Sequence, residues 1–210
     1  MGQYTTKGLY NKYDKNHKER DKTDYYATPT NEVFNILNNL GINFHGQTIL
    51  EPCAGGGHMA QGIIAYLKTE EQKAQLILTD LHPHDSELRI EVGEQYDFLS
   101  DNYPYGENID WIIMNPPYST IEPFTIRALE IAGSGVIMLA RLQFLEGGGR
   151  YENIFENNPP TDVYVYINRI QCWKGGVEPE GSSAQAYAWF VWDKARKGRA
   201  PQIHWLSRAT

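Results

Sequence analysis

Cysteine is scarce in this 210-residue chain, which has Cys53 and Cys172 and no others. Two distant thiols build neither a disulfide framework nor a Cys-x-x-Cys metal knuckle, so an intracellular, cytoplasmic protein is expected. Long apolar runs are missing too. The longest, Val136–Ala140 and Ala186–Trp192, fall far short of the roughly 20 residues that span a bilayer. Met1–Tyr10 has no apolar signal core, and no membrane partner is expected. Charged residues make up 21% and apolar residues 41%, ordinary globular usage that excludes a disordered chain, a coiled coil or a collagen-like repeat. At 24.0 kDa the chain fits one elaborated domain, burying about 70% of its unfolded surface.

Basic charge is also in deficit. Lysine and arginine number 19 against 26 aspartates and glutamates, a net −7, which argues against indiscriminate nucleic-acid binding. Met1–Asp24 nevertheless carries +2 and Asp193–Thr210 carries +4, leaving −13 between them. Basic ends on an acidic body can hold a polyanion locally, because fields are short-ranged at physiological salt. Solvated tails are the plainer reading.

Residues 1–24 are polar and aperiodic, and read as a flexible basic arm ahead of a single domain over 25–210. From Thr30, a candidate N-cap, Val33, Phe34, Ile36, Leu37 and Leu40 recur at helical spacing until Gly41. Strand Thr48–Leu50 leads into Glu51-Pro52 and a glycine cluster, followed by a helix through Met59–Leu67. Further strands are expected at Gln75–Thr79, near Gln95–Phe98, at Trp111–Met114 and at Gly135–Ala140, with a helix over Ile121–Ile131. Ile-, Leu- and Val-rich strands alternating with helices predict a mostly parallel sheet covered on both faces. Val163–Asn168 and Ala186–Trp192 predict an antiparallel hairpin closing it, with Ile203–Leu206 as a last short strand.

Gly55-Gly56-Gly57-His58-Met59-Ala60 fits a GxGxxG/A turn between strand and helix, and Asp80 lies about 20 residues on. Glycines allow a tight turn and close approach to a ligand, and the acid can accept from both ribose hydroxyls. NAD and S-adenosylmethionine share these needs, so the motif names a nucleoside and not a reaction. A plain strand-to-helix turn is the structural alternative. Glu51 favours S-adenosylmethionine, because a carboxylate attracts an ammonium and repels a pyrophosphate.

Asn115-Pro116-Pro117-Tyr118 follows an apolar strand, at the edge where ligands bind in open α/β sheets. An amide oxygen and a backbone carbonyl, held by two prolines, can accept two hydrogen bonds from one planar amino group. That removes the nitrogen lone pair from conjugation, and the following aromatic ring can stack on the ring bearing the amine. A strong base is not needed, because the proton can leave after attack. A Pro-rich turn with a packed tyrosine is the bland alternative.

The order Tyr25-Tyr26-Ala27-Thr28-Pro29, Glu51-Pro52-Cys53-Ala54-Gly55-Gly56-Gly57, Asp80, Asp97-Phe98 and Asn115-Pro116-Pro117-Tyr118 resembles the class I S-adenosylmethionine-dependent methyltransferases. It is most similar to phage-type and restriction-system DNA adenine-N6 enzymes with the gamma motif order. The resemblance covers about residues 24–145, and the segment 186–193 resembles the late strand of phage members. It implies a Rossmann-like fold with a seven-stranded sheet, S-adenosylmethionine as cofactor, and DNA as partner in a bacterial or phage-infected cell. Thr28, Pro29, Glu51, Ala54, Gly55 and Gly57 would surround the methionine moiety, with Tyr26, Pro52, Leu81 and Asn115 completing the cofactor set. Asp80 would hold the ribose, Asp97 the adenine amino group, and Phe98 would pack on that ring. Asn115 and Pro116 would grip the target amine, Pro117 would stiffen the turn, and Tyr118 would stack on a flipped base. Only about ninety residues follow Tyr118, too few for a large target-recognition domain. A short or relaxed target would then be read by the loops 146–160 and 175–183, by the basic ends, or by a second subunit, either a specificity partner or another copy.

His82-Pro83-His84-Asp85 suggests a metal cluster, but no further Cys/His group completes it, and no metal is expected. Trp173, Tyr187, Trp189, Phe190 and Trp192 could stack on bases, although alternation favours sheet packing for most of them. Among Arg141, Arg150 and Arg169, Arg141 stands out by its place just past a strand at the ligand-facing edge. Cys53 has no paired base and no nucleophilic role. Competing functions are the same chemistry on RNA or on a protein glutamine amide, and a silent cofactor-binding partner subunit. An NAD oxidoreductase leaves Asn115–Tyr118 unexplained.

Overall fold

Isoleucine, leucine, valine and methionine fill the middle strands and alternate between two faces, each with its own core. The computed structural model describes residues 25–82, 84, 95–178 and 185–209; the arm over 1–24 and part of the 175–183 loop lie outside them. Strands β1 (Tyr26–Ala27), β2 (Thr48–Glu51), β3 (Gln75–Leu78), β4 (Ile109–Met114), β5 (Ala132–Arg141), β6 (Asp162–Tyr166), β7 (Trp173–Lys174), β8 (Tyr187–Asp193) and β9 (Gln202–Leu206) join helices α1 (Thr30–Leu40), α2 (His58–Thr69) and α3 (Ile121–Ile131). Seven strands form one sheet in the order β3-β2-β4-β5-β8-β6-β9. Pairing is parallel from β3 through β5 and between β6 and β9, while β8 runs antiparallel to both its neighbours. The expected parallel α/β sheet and its antiparallel close are therefore present.

Period-two alternation sorts the side chains. Ile49, Ile113, Leu139 and Trp189 join the α1 and α2 residues Val33, Ile36, Leu37 and Ile63 in one core. Leu50, Ile112, Met138 and Phe190 join Phe124 and Ala128 of α3 in the other. Each such side chain contributes roughly 1.5–3 kcal/mol on burial. The two helices on the first face touch at Gly62, where an added Cβ would lie 2.6 Å from the Thr30 carbonyl and from Val33 Cβ. No larger residue fits between them.

Two local expectations are corrected. Thr30 does not cap α1. Pro29 holds that position without a side-chain bond, and Thr30 instead aims its hydroxyl at the His58 carbonyl (3.1 Å) and Gln61 Oε1 (3.0 Å), tying the two helices together. The strand expected near Gln95–Phe98 shrinks to a single parallel bridge between Asp80 and Gln95. The side chain of Asp97 accepts from the Leu99 N–H at 2.9 Å and its carbonyl accepts from the Ser100 N–H at 3.0 Å. Such local bonds compete with a strand ladder.

The ribbon β1–β7 was not foreseen. Tyr26 pairs with Lys174 and Ala27 with Trp173, which anchors the Tyr25–Pro29 segment beside the carboxyl ends of β2 and β4. Among the described residues no helix is long and apolar enough to cross a membrane.

Candidate active site

The glycine turn starts where β2 ends. Glu51, the last residue of β2, is only 2% exposed. The Ala60 backbone N–H supports its carboxyl, yet burial and nearby Asp80 push the pKa to about 8. Its Oε2 is buried with no hydrogen-bond partner. Asp80 braces the turn, accepting the Gly55 N–H at 2.7 Å and the His82 N–H at 2.6 Å. Ala54 donates to the Thr79 carbonyl (3.0 Å), and Gly57 donates to Ala54 (2.7 Å) before opening α2.

A tyrosine ring lies on that turn. A Cβ on Gly55, whose φ is +53°, would stand 2.2 Å from the Tyr25 ring, so both conformation and contact require glycine there. The Tyr25 hydroxyl accepts the Gly56 N–H at 3.0 Å and lies 3.0 Å from His58 Nδ1. Burial lowers the His58 pKa and favours the neutral ring, which can accept at that nitrogen. The Tyr25 ring stacks on His84 at 4.4 Å and 14°.

Asn115 follows β4 on the other side of the turn. Its amide nitrogen donates to the Tyr26 carbonyl at 2.8 Å and to Thr28 Oγ1 at 3.1 Å. With both N–H donors engaged, the orientation of the amide is fixed. Its Oδ1 is buried and has no partner. Cys53 joins the two turns, because the Asn115 backbone N–H points at its sulfur while burial raises the thiol pKa. Pro117 accepts from the Thr120 N–H at 3.0 Å, closing the short turn that sets Tyr118 in place. The Tyr118 and Tyr187 hydroxyls share a 2.8 Å hydrogen bond, the Arg141 guanidinium lies 4.2 Å over the Tyr118 ring, and the Tyr26 ring packs on it at 5.2 Å. Burial pushes the Cys172 thiol, which bonds to both hydroxyls, up to about 12.

A buried polar atom without a partner costs about 1–3 kcal/mol. Here Glu51 Oε2 and Asn115 Oδ1 both end adjacent strands at the carboxyl edge of the sheet; the amide oxygen is an acceptor, and the carboxyl becomes one on both oxygens when it ionises. Their chemistry suits a ligand that brings positive charge to one and an amino N–H to the other. The donor set thus fits S-adenosylmethionine, whose ammonium and ribose hydroxyls call for carboxyl groups such as those of Glu51 and Asp80.

Most of the expected residues meet at this edge. Tyr26, Thr28, Asn115, Pro116, Pro117 and Tyr118 form one cluster, and Glu51, Pro52, Ala54, Gly55, Gly57 and Asp80 form the adjoining turn. Pro29 instead anchors the start of α1, accepting from Glu32 and Val33. Leu81 is largely exposed, and Asp97 turns an oxygen onto Leu99. Phe98 is 1% exposed, enclosed by Tyr103 and Phe124 at 5.3 and 5.0 Å, and so stands in the core. Tyr25, His58 and Cys172 have no site role in the sequence reading, and Tyr187 stands there only within an aromatic set read mostly as sheet packing. Tyr25 carried a signal, as the first residue of its motif. Arg150 folds onto the Glu146 carbonyl. Pro83 and Asp85 of the His82–Asp85 segment lie outside the described residues, among which no three His, Cys, Asp or Glu side chains gather for a metal.

The sequence matches no known family model and no curated protein. Solved structures do match. The methyltransferase subunit of the type I restriction-modification system of Streptococcus thermophilus superimposes with a TM-score of 0.57 at 12% identity, over 89% of this chain and 48% of that one. The EcoKI M protein of a type I restriction enzyme gives 0.52 at 13%, over 82% and 45%. Another Streptococcus thermophilus protein, with a provisional hemolysin label, gives 0.52 at 11%, over 88% and 71%. This chain spans about half the length of the two restriction-system proteins. The likeness shows the Rossmann-like fold of class I methyltransferases, and the third label illustrates that fold alone does not fix function.

Proposed function

We propose that this protein transfers a methyl group from S-adenosylmethionine to the exocyclic N6 of adenine in DNA, acting on a base flipped from its stack. The observation that carries this reading is Asn115 Oδ1: buried, unpartnered, and held in one orientation by Tyr26 and Thr28. Such an acceptor draws one amino N–H into a hydrogen bond. The Pro116 carbonyl is the second acceptor in this scheme, and the two together localise the nitrogen lone pair. The Tyr118 ring supplies the stacking face, since enzymes that modify a base extract it from the duplex. The cofactor, when bound, supplies a methyl group on a positively charged sulfur. Glu51, Ala54, Gly55, Gly57, Asp80 and Thr28 are proposed to hold it, with Tyr26, Pro29, Pro52, Leu81 and Asp97 bordering them. Phe98 supports this wall from the core. Excluding water from the two acceptors strengthens every bond made there.

Target choice is proposed to be short or relaxed and to depend on surface loops, the basic ends, a second copy or a specificity partner. The restriction-system neighbours, one of them a subunit by its own description, support a search for such a partner. The phage-type affinity and a cytoplasmic location belong to the same proposal.

Incubation with methyl-labelled S-adenosylmethionine and separate DNA, RNA and protein pools tests it. The expected product is N6-methyladenine in DNA. Label in RNA or on glutamine would move the substrate. Cofactor binding without transfer to any pool would make the chain a silent partner.

A further inference from the structure

Arg141 ends β5 and faces Tyr187 across the β5–β8 ladder. Its guanidinium lies 4.2 Å from the Tyr118 ring centroid, a face contact that leaves no room for a second planar group between them. Among the described residues no carboxylate pairs with it, and its Nε is buried without a hydrogen-bond partner. Its side chain also bonds to the Tyr187 hydroxyl. A half-buried cation with an idle donor and no counter-ion is unusual, because buried charges are ordinarily paired. The ring beneath it is the stacking surface of the proposed target slot.

Of the groups against Tyr118, Tyr26 is fixed by the β1–β7 ribbon and Tyr187 by the ladder and a shared hydroxyl bond. Arginine has the long, jointed side chain that can leave. The guanidinium is planar, stacks on aromatic faces, and pairs with phosphate oxygens through its fork of donors. One side chain can therefore fill the slot in the free protein and bind the nucleotide afterward.

We propose that Arg141 stands in for the target base on Tyr118, is displaced when the base enters, and then pairs with a phosphate flanking the extruded nucleotide. This rests on the reading of Tyr118 as the stacking residue. It distinguishes Arg141 from a residue that grips the base itself: on its removal base affinity should hold or rise while phosphate affinity falls.

The test uses the full chain saturated with S-adenosylhomocysteine, and two fluorescent probes: 2-aminopurine deoxynucleoside and its 3′,5′-bisphosphate. In Arg141→Ala the nucleoside should bind as well as in the wild type or more tightly, because the competitor for the ring is gone. The bisphosphate should lose roughly tenfold to a hundredfold, the range of a lost charge-assisted contact. Arg141→Lys, which keeps a charge without the planar fork, should retain part of the bisphosphate preference. On DNA the alanine variant should show a salt slope shallower by about 0.9, one phosphate contact. Equal weakening of both probes, or no change in either, would overturn the proposal. Unchanged S-adenosylhomocysteine affinity certifies a folded variant. A wild-type chain that binds no S-adenosylhomocysteine would instead defeat the methyltransferase reading itself.

Discussion

Two carboxylates are buried to the same degree at opposite flanks of the sheet, and they are treated in opposite ways. Asp162, at the start of β6, is 2% exposed and meets Arg196 in an ion pair and His204 Nε2 at 2.9 Å. Glu51, at the end of β2, is equally hidden, yet its Oε2 has no partner. The first holds the β6–β9 edge together, with His204 stacked on Tyr164 at 4.5 Å. The second leaves a carboxyl oxygen open at the sheet edge that also carries the open acceptor Asn115 Oδ1. Burial alone does not mark a functional group. What sets Glu51 apart is an open carboxyl oxygen at the strand's carboxyl end, on the same edge as the open Asn115 Oδ1.

Breaking this contrast gives the largest expected effect at Glu51. A buried carboxyl with a raised pKa favours the folded state only while protonated. The penalty is absent below the ordinary 4.5, grows as the pH rises, and is complete above about 8. It amounts to on the order of 5 kcal/mol. Urea denaturation at pH 5, 7 and 8.5 should show this decline in the wild type and its loss in Glu51→Gln. Parallel curves for the two proteins would remove Glu51 from the account.

Asn115→Ala comes next. Removing the positioned acceptor should lower methyl-transfer turnover by about 10²–10³-fold, with cofactor affinity changed little. Wild-type turnover in that variant would break the catalytic assignment. At the paired flank, Asp162→Asn should lower stability by about 3 kcal/mol while leaving methyl transfer per folded molecule unchanged. Arg196 is one-third exposed, so the lower end of the usual range applies. The smallest effect belongs to Tyr25→Phe. It unpairs the Gly56 N–H and should cost about 1–2 kcal/mol, read as a modest shift in melting temperature.

The asymmetry between flanks also explains what could be read from the sequence. The glycine turn and Asn115–Tyr118 were legible because each is continuous and its chemistry is local. The strands were legible because apolar residues fill them and alternate where one face differs. What escaped depends on distant segments. Tyr25 reaches Gly55 across thirty residues, and Cys172 comes to Tyr118 from a later segment; Arg141 and Tyr187 stood out as candidates, but their meeting on Tyr118 has no local signal. The ribbon β1–β7 joins residues nearly 150 positions apart, with no local signal in a two-residue strand. Near Gln95 the apolar pattern was real, but the Asp97 turn took the backbone bonds. Phe98 was assigned by motif position, and its neighbours Tyr103 and Phe124 claimed it for the core.

Cofactor binding at Glu51 tests the central claim most directly. At pH 7 a carboxyl with a pKa near 8 is about nine-tenths protonated, and an ammonium beside it favours the ionised form. Calorimetric titration with S-adenosylmethionine, repeated in buffers of different ionisation enthalpy, should report close to one proton released per molecule bound. Glu51→Gln should abolish that release and weaken binding roughly tenfold or more. Binding with the same heat in every buffer, or a Glu51→Gln variant with unchanged affinity, would contradict the assignment of the unpartnered carboxylate to the cofactor.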